Sequence, residues 1–294
     1  MSLPPDARDT LRTDLAPVAL ARPGRRIAAV VVALLAAGFI HTCLANPNFQ
    51  WSVVGKYLFN KEILAGVRLT IELTLSAMAI GVALGLVTAL MRLSDNRLLS
   101  GAAVLYIVVF RGIPALVQLI FWYNLAALFP RIAIGIPFFG PEWFSVNANA
   151  IITPTAAANL GLGLCEGAYM AEIVRAGLMS VDPGQREAGA SLGLTRAQTM
   201  RRVILPQALR VIVPPTGNEI IGMLKLSSLA SVISVTELLA AAGLIYTRTF
   251  ETIPLLIVAS MWYIALTGVL TLGQRFIERR LGRSVQDVAR GGRA

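Results

Sequence analysis

Residues 182–206 read DPGQREAGASLGLTRAQTMRRVILP, a polar and charged stretch in a chain that is otherwise strongly apolar. Asp182 followed by Pro183 is typical of a helix start, because aspartate caps free backbone amides and proline fits the first helical position. Gly193 suits the residue just after a helix end, where a left-handed backbone conformation costs glycine little. The first half of this stretch therefore predicts a short helix with defined ends.

The second half of the stretch predicts another short helix. Thr195 with Gln198 three residues later forms a capping-box pattern, in which side chains and backbone amides satisfy one another. Pro206 either ends this helix or marks the start of the next element, since proline has no amide to donate. We expect two short helices at a bend, exposed between membrane spans. A stiff element of this kind outside the bilayer indicates a binding site for another protein.

The composition identifies an integral membrane protein. The chain has 294 residues, of which 56% are hydrophobic and 14% charged, whereas soluble proteins carry about 25% charged residues. The net charge of +10 does not indicate nucleic-acid binding, because the basic residues cluster at the ends of apolar segments. One histidine, His41, and two cysteines in apolar stretches, Cys43 and Cys165, predict neither a metal site nor a disulfide framework.

The sequence carries no phosphate-binding loop of the GxxxxGK[ST] type. Gly55–Lys56 lacks both the first glycine and the following Ser or Thr. We therefore expect a chain that is not an enzyme and that holds no cofactor of its own. Energy for active transport would have to come from an ion gradient or from a separate ATPase subunit.

Apolar segments long enough to cross a membrane recur along the chain. Crossing the hydrocarbon core takes about 20 residues of helix at about 1.5 Å each. We predict an all-α membrane protein with about six transmembrane helices, the fifth broken by Pro214–Pro215 as transport sites often require. We expect the first span to be retained, because its leading tail of 26 residues is long for a secretory signal. The predicted spans are 27–45, 67–91, 98–128, 149–177, 208–235 and 253–274.

The distribution of basic residues predicts the orientation. With six spans, 19 of the 26 lysines and arginines fall on one side of the membrane and four on the other. Because basic residues favour the cytoplasmic side, both termini and the loop 178–206 are predicted to be cytoplasmic. Counting 229–247 as a seventh span would move the arginine-rich C-terminal tail outside, so we predict an external interfacial helix within 236–250 instead. The four basic residues on the outer side are Lys56, Lys61, Arg131 and Arg248.

Several charged side chains fall within or near the predicted spans. Each needs a partner or a wet cavity, because a charge at the bilayer centre costs about 2.5–3.5 kcal/mol. Arg68 and Glu72, four residues apart, could pair or snorkel. Arg111, in FRGIPALVQ, could pair with carbonyls freed by the neighbouring glycine and proline, or it could line a path. Glu172 and Arg175 predict a local salt bridge.

Lys225 lies deepest, in GMLKLSSLAS, and a lone ammonium there favours a functional role. Glycines spaced four residues apart also occur in two spans, and such spacing predicts close helix packing. These glycines are Gly81 with Gly85, and Gly163 with Gly167. The residues that could line a substrate path are Arg111, Tyr169, Glu172, Glu219, Lys225, Ser227 and Ser228.

The polar stretch resembles the EAA motif of the membrane subunits of ATP-binding-cassette (ABC) importers, E-A-A-x3-G-x9-I-x-L-P. The chain has Glu187, Ala188, Gly189, then Gly193 and VILP at 203–206, at the same spacing. Gly189 replaces the second alanine, which we expect to soften the first helix. Over about 66–281 the chain is similar to the polar amino-acid permeases, the branch of type I importers that carries His, Glu, Gln, Arg and opines. The similar segments are GVRLTIELT (66–74), FRGIPALVQLIFWY (110–123), EGAYMAEIVRAGL (166–178), SVDPGQREAGASLGLT (180–195), RRVILPQALRVIVPPTGNE (201–219) and SLASVISVTELL (228–239).

The resemblance implies a multi-pass permease subunit in a bacterial inner membrane, which couples ATP hydrolysis by a partner to alternating-access uptake of polar amino acids. The implied partners are ABC ATPase subunits that bind ATP and Mg, a second permease copy or a sister permease, an extracytoplasmic substrate-binding protein and the lipid bilayer. Glu187 is expected to cap or pair within the coupling element, where Arg186, Arg201 and Arg202 are available. The residues implied to couple to the ATPase are Glu187, Ala188, Gly189, Gly193, Leu194 and Pro206.

On this basis the chain divides into four segments. Residues 1–24 are expected to be a disordered cytoplasmic tail. Residues 25–60 are expected to hold an extra N-terminal transmembrane helix and an external loop. Residues 61–282 would form the five-helix importer domain with its coupling loop at 179–206, and 283–294 would be a cytoplasmic tail.

Two other classes of function stay open on the residues alone. An ion-coupled secondary transporter would need inverted repeats and carboxylates able to relay protons, and the sequence shows no long repeat. A structural or receptor-like scaffold would leave Lys225 and the prolines of the fifth span unexplained. The residues also do not decide between a basic and an acidic amino acid, or between a homodimer and a heterodimer of permeases.

Overall fold

A computed structural model describes residues 23–135 and 142–291 of the chain. Contacts divide the chain into two units, 1–51 and 52–294. In the first unit, the apolar helix α1 (Pro23–Ala45) is followed by a short 3-10 turn, and the indole N–H of Trp51 donates to the carbonyl of Cys43 at 3.1 Å. The predicted disordered tail lies almost wholly outside the described residues.

The remaining helices follow one another along the chain. Those up to the centre of the chain are α2 (Trp51–Tyr57), α3 (Lys61–Arg92), α4 (Arg97–Gly112), α5 (Ala115–Tyr123) and the single turns α6 (Leu125–Leu128) and α7 (Ala148–Ile151). Those that follow are α8 (Pro154–Met179), α9 (Gly184–Ser191), α10 (Arg196–Thr199), α11 (Leu205–Leu226), α12 (Leu238–Thr249) and α13 (Thr252–Gly291).

The long helices α3 and α8 form the centre of the second unit, and glycines let them approach closely. A Cβ added to Gly81 would lie 2.5 Å from Cγ of Glu166, and one added to Gly163 would lie 2.6 Å from Cγ2 of Ile80. Each of the four glycines that the sequence singled out faces the other helix in this way, so the predicted close packing is confirmed. Interiors packed at this density do not accept an extra methyl group without displacement.

The described part of the chain contains three to five candidate membrane spans. Among the described residues, three helices are long and apolar enough to cross a membrane: Ile27–Ala45, Lys61–Arg92 and Thr252–Arg280. Two bent helix pairs could each provide one more. Helix α8 has 26 residues but also several charged side chains, so its hydropathy does not qualify it alone. The count of six and the orientation of the termini stay predictions.

The predicted third span, 98–128, is not one helix. Helices α4 and α5 meet at an angle of 100°. The cause is Pro114, which has no amide donor and forces Ile113 into an extended conformation (φ −97°, ψ 129°). The buried side chain of Gln118 donates to the carbonyls of Phe110 and Ile113, both at 2.9 Å. These bonds replace backbone hydrogen bonds lost at the break.

The prediction that Pro214–Pro215 break the fifth span is wrong. Helix α11 continues through both prolines, and packing against α8 and α13 holds it across the two missing donors. The chain leaves the α-helix only in the 3-10 helix Ser227–Ile233, which ends at Ser234 in the left-handed conformation. The helix expected within 236–250 is present as α12 and is bent by 47° from the helical segment that ends at Ile233.

One element departs from the all-α prediction. Strands β1 (Arg131–Gly135) and β2 (Glu142–Asn147) form an antiparallel hairpin in which Ile132 faces Val146. The β-branched and aromatic residues of these short segments favour strands, but they were too few to stand out beside long apolar helices. At the other end of the chain, the segment 283–294 is helical as far as Gly291.

Candidate functional site

A cavity of about 420 Å³ lies where the break between α4 and α5 meets α8 and α11. The backbone itself forms one wall, since residues 111–115 run along the cavity between the two helices. Helix α8 contributes Cys165, Glu166 and Tyr169, and α11 contributes Glu219 together with small and apolar residues. A concave site that combines apolar walls with a few convergent polar groups is typical of small-molecule binding.

Two carboxylic acid side chains and one basic side chain line this cavity. Glu166 is only 4% exposed, and its Oε1 has no hydrogen-bond partner among the described residues. Glu219 lines the same cavity, so two carboxylates stand against one guanidinium. That guanidinium, of Arg111, lies 5.0 Å from the ring centre of Tyr169 and forms a cation–π contact. A buried carboxylate without a partner is costly, so the cavity suits a ligand that brings positive charge.

The break also brings a helix start to the cavity. Pro114 precedes α5 without any side-chain cap, and the first backbone bonds of α5 run from Val117 and Gln118 to the Pro114 carbonyl. The amides at the very start of α5 therefore have no acceptor within the helix. Ala115, at this start, lines the cavity. The positive end of the helix dipole favours a carboxylate at this position.

Of the residues predicted to line a path, Arg111, Tyr169 and Glu219 meet in this cavity. Glu172 does not line it. Its carboxylate pairs with Arg175 at 2.6 Å, and this bond confirms the predicted local salt bridge. The other predicted pair, on α3, is likewise joined at 2.7 Å.

Lys225, Ser227 and Ser228 also lie outside the cavity. Lys225 is exposed on α11. The hydroxyl of Ser227 donates to the carbonyl of Leu224, and that of Ser228 donates to the carbonyl of Lys225, both at 2.8 Å. Both serines thus satisfy carbonyls at the end of α11, which is a local structural role.

Of the cavity residues that were absent from the predicted path, Glu166 and Cys165 are the ones with polar side chains. Glu166 interrupts the apolar run GLGLC of α8, and an acidic residue in such a run was a usable signal. The Cys165 thiol donates to the carbonyl of Phe110 at 3.7 Å, which fastens α8 to the end of α4.

The first helix of the loop 179–206, α9, begins at Gly184, one residue after the predicted first helical position Pro183, and it ends as the sequence predicts. Oδ1 of Asp182 accepts a hydrogen bond from the amide of Gly184 at 2.6 Å. Gly193 adopts φ +74°, its amide donates to the carbonyl of Ala190 at 2.9 Å, and the next amide donates to the carbonyl of Gly189 at 3.0 Å. These two bonds form a Schellman motif, which requires a left-handed residue at the position of the glycine.

The second helix of this loop, α10, begins as predicted. The Thr195 amide donates to Gln198 Oε1 at 2.9 Å, and the Gln198 amide donates to Thr195 Oγ1 at 3.3 Å, so the capping box is confirmed. Its end differs, because α10 continues through a π-helical turn (Met200–Ile204) into α11 without a gap. Of the two roles open to Pro206, the start of the next element is the one observed.

Packing explains the glycine of the altered motif. A Cβ added to Gly189 would lie 2.7 Å from Cγ2 and Oγ1 of Thr199, so the glycine lets α9 lie against α10. The carboxylate of Glu187 is exposed in the first turn of α9 and forms no ion pair with any described residue, so the expected pairing with nearby arginines is not observed. Leu192, which follows the last residue of α9, is 80% exposed.

Comparison with known proteins agrees with this architecture. Residues 81–283 match the family described as binding-protein-dependent transport system inner membrane components. An arginine transport system permease protein of Corynebacterium glutamicum is 44% identical over 261 residues, covering 88% of this chain and 81% of the relative. An L-cystine transport system permease protein of Bacillus subtilis is 39% identical over 221 residues, covering 75% and 86%.

Solved structures show the same fold. An amino acid ABC transporter determined with histidines superposes with a TM-score of 0.63 at 38% identity, over 76% of this chain and 95% of that chain. The inward-facing MetNI methionine ABC transporter superposes with a TM-score of 0.58 at 18% identity, over 75% and 96%. The comparisons give no support to an ion-coupled transporter. In this family the ATPase is a separate subunit, and the chain belongs to the family of bacterial inner-membrane permease subunits of binding-protein-dependent ABC importers.

Proposed function

We propose that this permease subunit imports a cationic amino acid of the arginine type through the cavity beside Glu166. The observation that carries the proposal is the unpartnered, buried Oε1 of Glu166 in a cavity whose charged groups are two carboxylates and one guanidinium. Arginine carries two positive groups and one negative group, so it complements this set one for one. A neutral amino acid would leave one carboxylate unpaired, and an acidic one would leave two like charges facing each other.

The polarity of the site indicates how such a substrate would lie. Its α-carboxylate would be held by Arg111 and the uncapped amides at the start of α5. Its ammonium and guanidinium groups would then face Glu219 and Glu166, and a guanidinium can bind a carboxylate through two parallel hydrogen bonds. An arginine transport permease is among the similar proteins, which supports the same substrate class.

The coupling part of the proposal concerns the loop 179–206. Six spans with both termini in the cytoplasm would place this loop on the cytoplasmic face, as the basic residues favour. The ATPase partner, which would bind ATP and Mg, would receive the exposed Leu192 in a cleft and pair with the free carboxylate of Glu187. The supporting positions Ala188, Gly189, Gly193, Leu194 and Pro206 would hold the two helices at a fixed angle.

The outer partner would be a substrate-binding protein, and the lateral partner a second permease copy or a sister permease. Lys225 is exposed on α11, so it stays a candidate for a path completed by that second subunit. Ser227, Ser228 and Glu172 are candidates only for that same path, because their polar groups already form hydrogen bonds or an ion pair within this chain.

The test is uptake by proteoliposomes that contain the permease, its ATPase and its binding protein. Removing the carboxylate in Glu166→Gln should lower arginine uptake by roughly 30-fold or more, since losing one partner of a buried charge pair costs about 2–5 kcal/mol. The matched control is Glu72→Gln, which removes an exposed carboxylate that pairs with Arg68 outside the cavity. We expect this control to transport like the wild type.

The outcomes separate the two parts of the proposal. Uptake that requires ATP and the ATPase subunit, but that prefers glutamate or a neutral amino acid, would refute the cationic substrate and leave the importer intact. Arginine uptake that is unchanged by Glu166→Gln would refute the role of the cavity.

A further inference from the structure

A second cavity, of about 610 Å³, lies between the ends of the long helices and the coupling helices. Its floor is apolar, with Leu90 and Leu93 at the end of α3 and Leu178 at the end of α8. The opposite wall consists of α9, α10 and the π-helical turn. This groove shares no lining residue with the substrate cavity, so the transport reaction described above does not account for it.

All charged residues that line the groove are basic. They are Arg186 on α9 and Arg196 at the start of α10, and both are exposed. Neither arginine forms an ion pair within 23–135 or 142–291, the part of the chain that the structure describes. Glu187, although next in sequence, does not line the groove. Two free guanidinium groups above an apolar floor fit a ligand that is anionic at one end and apolar at the other.

The position of the groove identifies the source of such a ligand. Leu90 is 54% exposed near the end of α3, a helix long and apolar enough to span a bilayer. The groove therefore opens where lipid chains give way to headgroups. In the orientation proposed above this is the inner leaflet, whose anionic lipids attract basic side chains.

We propose that this groove binds an anionic phospholipid of the inner leaflet, with an acyl chain against Leu90 and Leu93 and the phosphate between Arg186 and Arg196. The proposal goes beyond amino-acid transport and rests only on the proposed orientation. Because the two arginines belong to the coupling helices and the leucines to the membrane helices, one lipid joins the two parts. Lipid composition then affects how firmly the coupling helices are held against α3 and α8.

Native mass spectrometry of the complete importer tests this site. The complex is released from bilayers that contain equal amounts of phosphatidylglycerol and phosphatidylcholine, and the lipids retained on it are counted. The wild type should retain phosphatidylglycerol in preference. The double variant Arg186→Gln/Arg196→Gln should bind it roughly 30-fold more weakly, because each arginine near an anionic surface contributes about 1 kcal/mol.

The matched control is Arg201→Gln/Arg202→Gln, which removes two exposed arginines from the same loop but outside the groove. This variant should retain phosphatidylglycerol like the wild type. A second test leaves the arginines in place: Ala190→Glu puts a negative charge on the groove wall and should expel the anionic lipid.

Three results would overturn the proposal. If both double variants lost phosphatidylglycerol equally, the lipid would be responding only to the general positive charge of the loop. Equal retention of the two phospholipids by the wild type would show apolar filling without headgroup recognition. Crosslinks from the Ala190→Cys variant to the ATPase or to a second permease, with no lipid retained, would show that a protein occupies the groove.

Discussion

The loop 179–206 and the cavity beside Glu166 differ in whether their polar groups have partners within the chain. In the loop, the ends of α9 and the start of α10 are capped by groups within five residues, so the backbone is satisfied locally. In the cavity, Arg111, Glu166 and Glu219 come from three helices more than 50 residues apart, and one buried carboxylate oxygen lacks a partner. A fully satisfied network rigidifies the structure, whereas a buried polar group without a partner is costly. This contrast agrees with the proposed roles, in which the loop transmits force and the cavity receives a solute.

The largest expected effect is loss of coupling in Gly193→Pro. Proline cannot adopt φ +74° and has no amide to donate to Ala190, so the Schellman motif should be lost at a cost of roughly 3 kcal/mol or more. We expect ATP-dependent uptake to fall by at least about 100-fold, because that energy corresponds to two decades in population. Arginine binding to the permease, measured by calorimetry, should stay normal because the cavity is elsewhere.

The conservative control at the same position is Gly193→Asn, since asparagine tolerates the left-handed conformation. It should keep most of the uptake. If Gly193→Pro transported normally, or lost arginine binding together with uptake, the loop would not be the separate force-transmitting region described here.

The next effect concerns the wall of the cavity, in Gly81→Ala. The new methyl group would lie 2.5 Å from Cγ of Glu166 and force α3 away from α8, which should cost about 1–3 kcal/mol of stability. Thermal unfolding in detergent should show a lower transition temperature, and arginine affinity should fall because Glu166 is displaced. The control is Gly101→Ala on α4, where no other atom lies within 4 Å of the added carbon, and helix propensity should make it neutral or slightly stabilising.

The smallest effect is expected from Thr195→Ala in the capping box. Losing one cap bond costs about 1 kcal/mol, so hydrogen exchange at the amides of 196–199 should accelerate by about five- to tenfold. Uptake should fall only modestly, because the Gln198 side chain still bonds the amide of residue 195. Unchanged exchange in the variant would mean that tertiary contacts, rather than the cap, hold α10.

The same contrast explains what the sequence could predict. The ends of the coupling helices follow from local rules, in which Asp182, Gly193 and Thr195 each act on amides a few residues away. The close packing of α3 on α8 was also predictable, because glycines spaced four apart mark one face of a helix. Local patterns of this kind are readable without knowing the fold.

The cavity could not be derived in this way. Arg111, Tyr169 and Glu219 were recognised as candidates, but their meeting depends on the 100° turn at Pro114, which a hydropathy pattern does not reveal. The prediction that the prolines break α11 was wrong for a similar reason. Packing against two neighbouring helices outweighs the local helix-breaking preference of proline. Glu166 was visible as an intramembrane charge, but only the structure shows that its oxygen lacks a partner.

The most direct test of the central claim is whether arginine protects Cys165 from chemical modification. In a Cys43→Ala variant, Cys165 is the last cysteine of the chain, and it lines the cavity beside Glu166. At about four times its Kd, arginine should slow the reaction of Cys165 with a small methanethiosulfonate reagent about fivefold, in proportion to the occupied fraction. Glutamate at the same concentration should leave the rate unchanged. Equal rates with and without arginine, or protection by glutamate alone, would contradict a cation-binding cavity at this position.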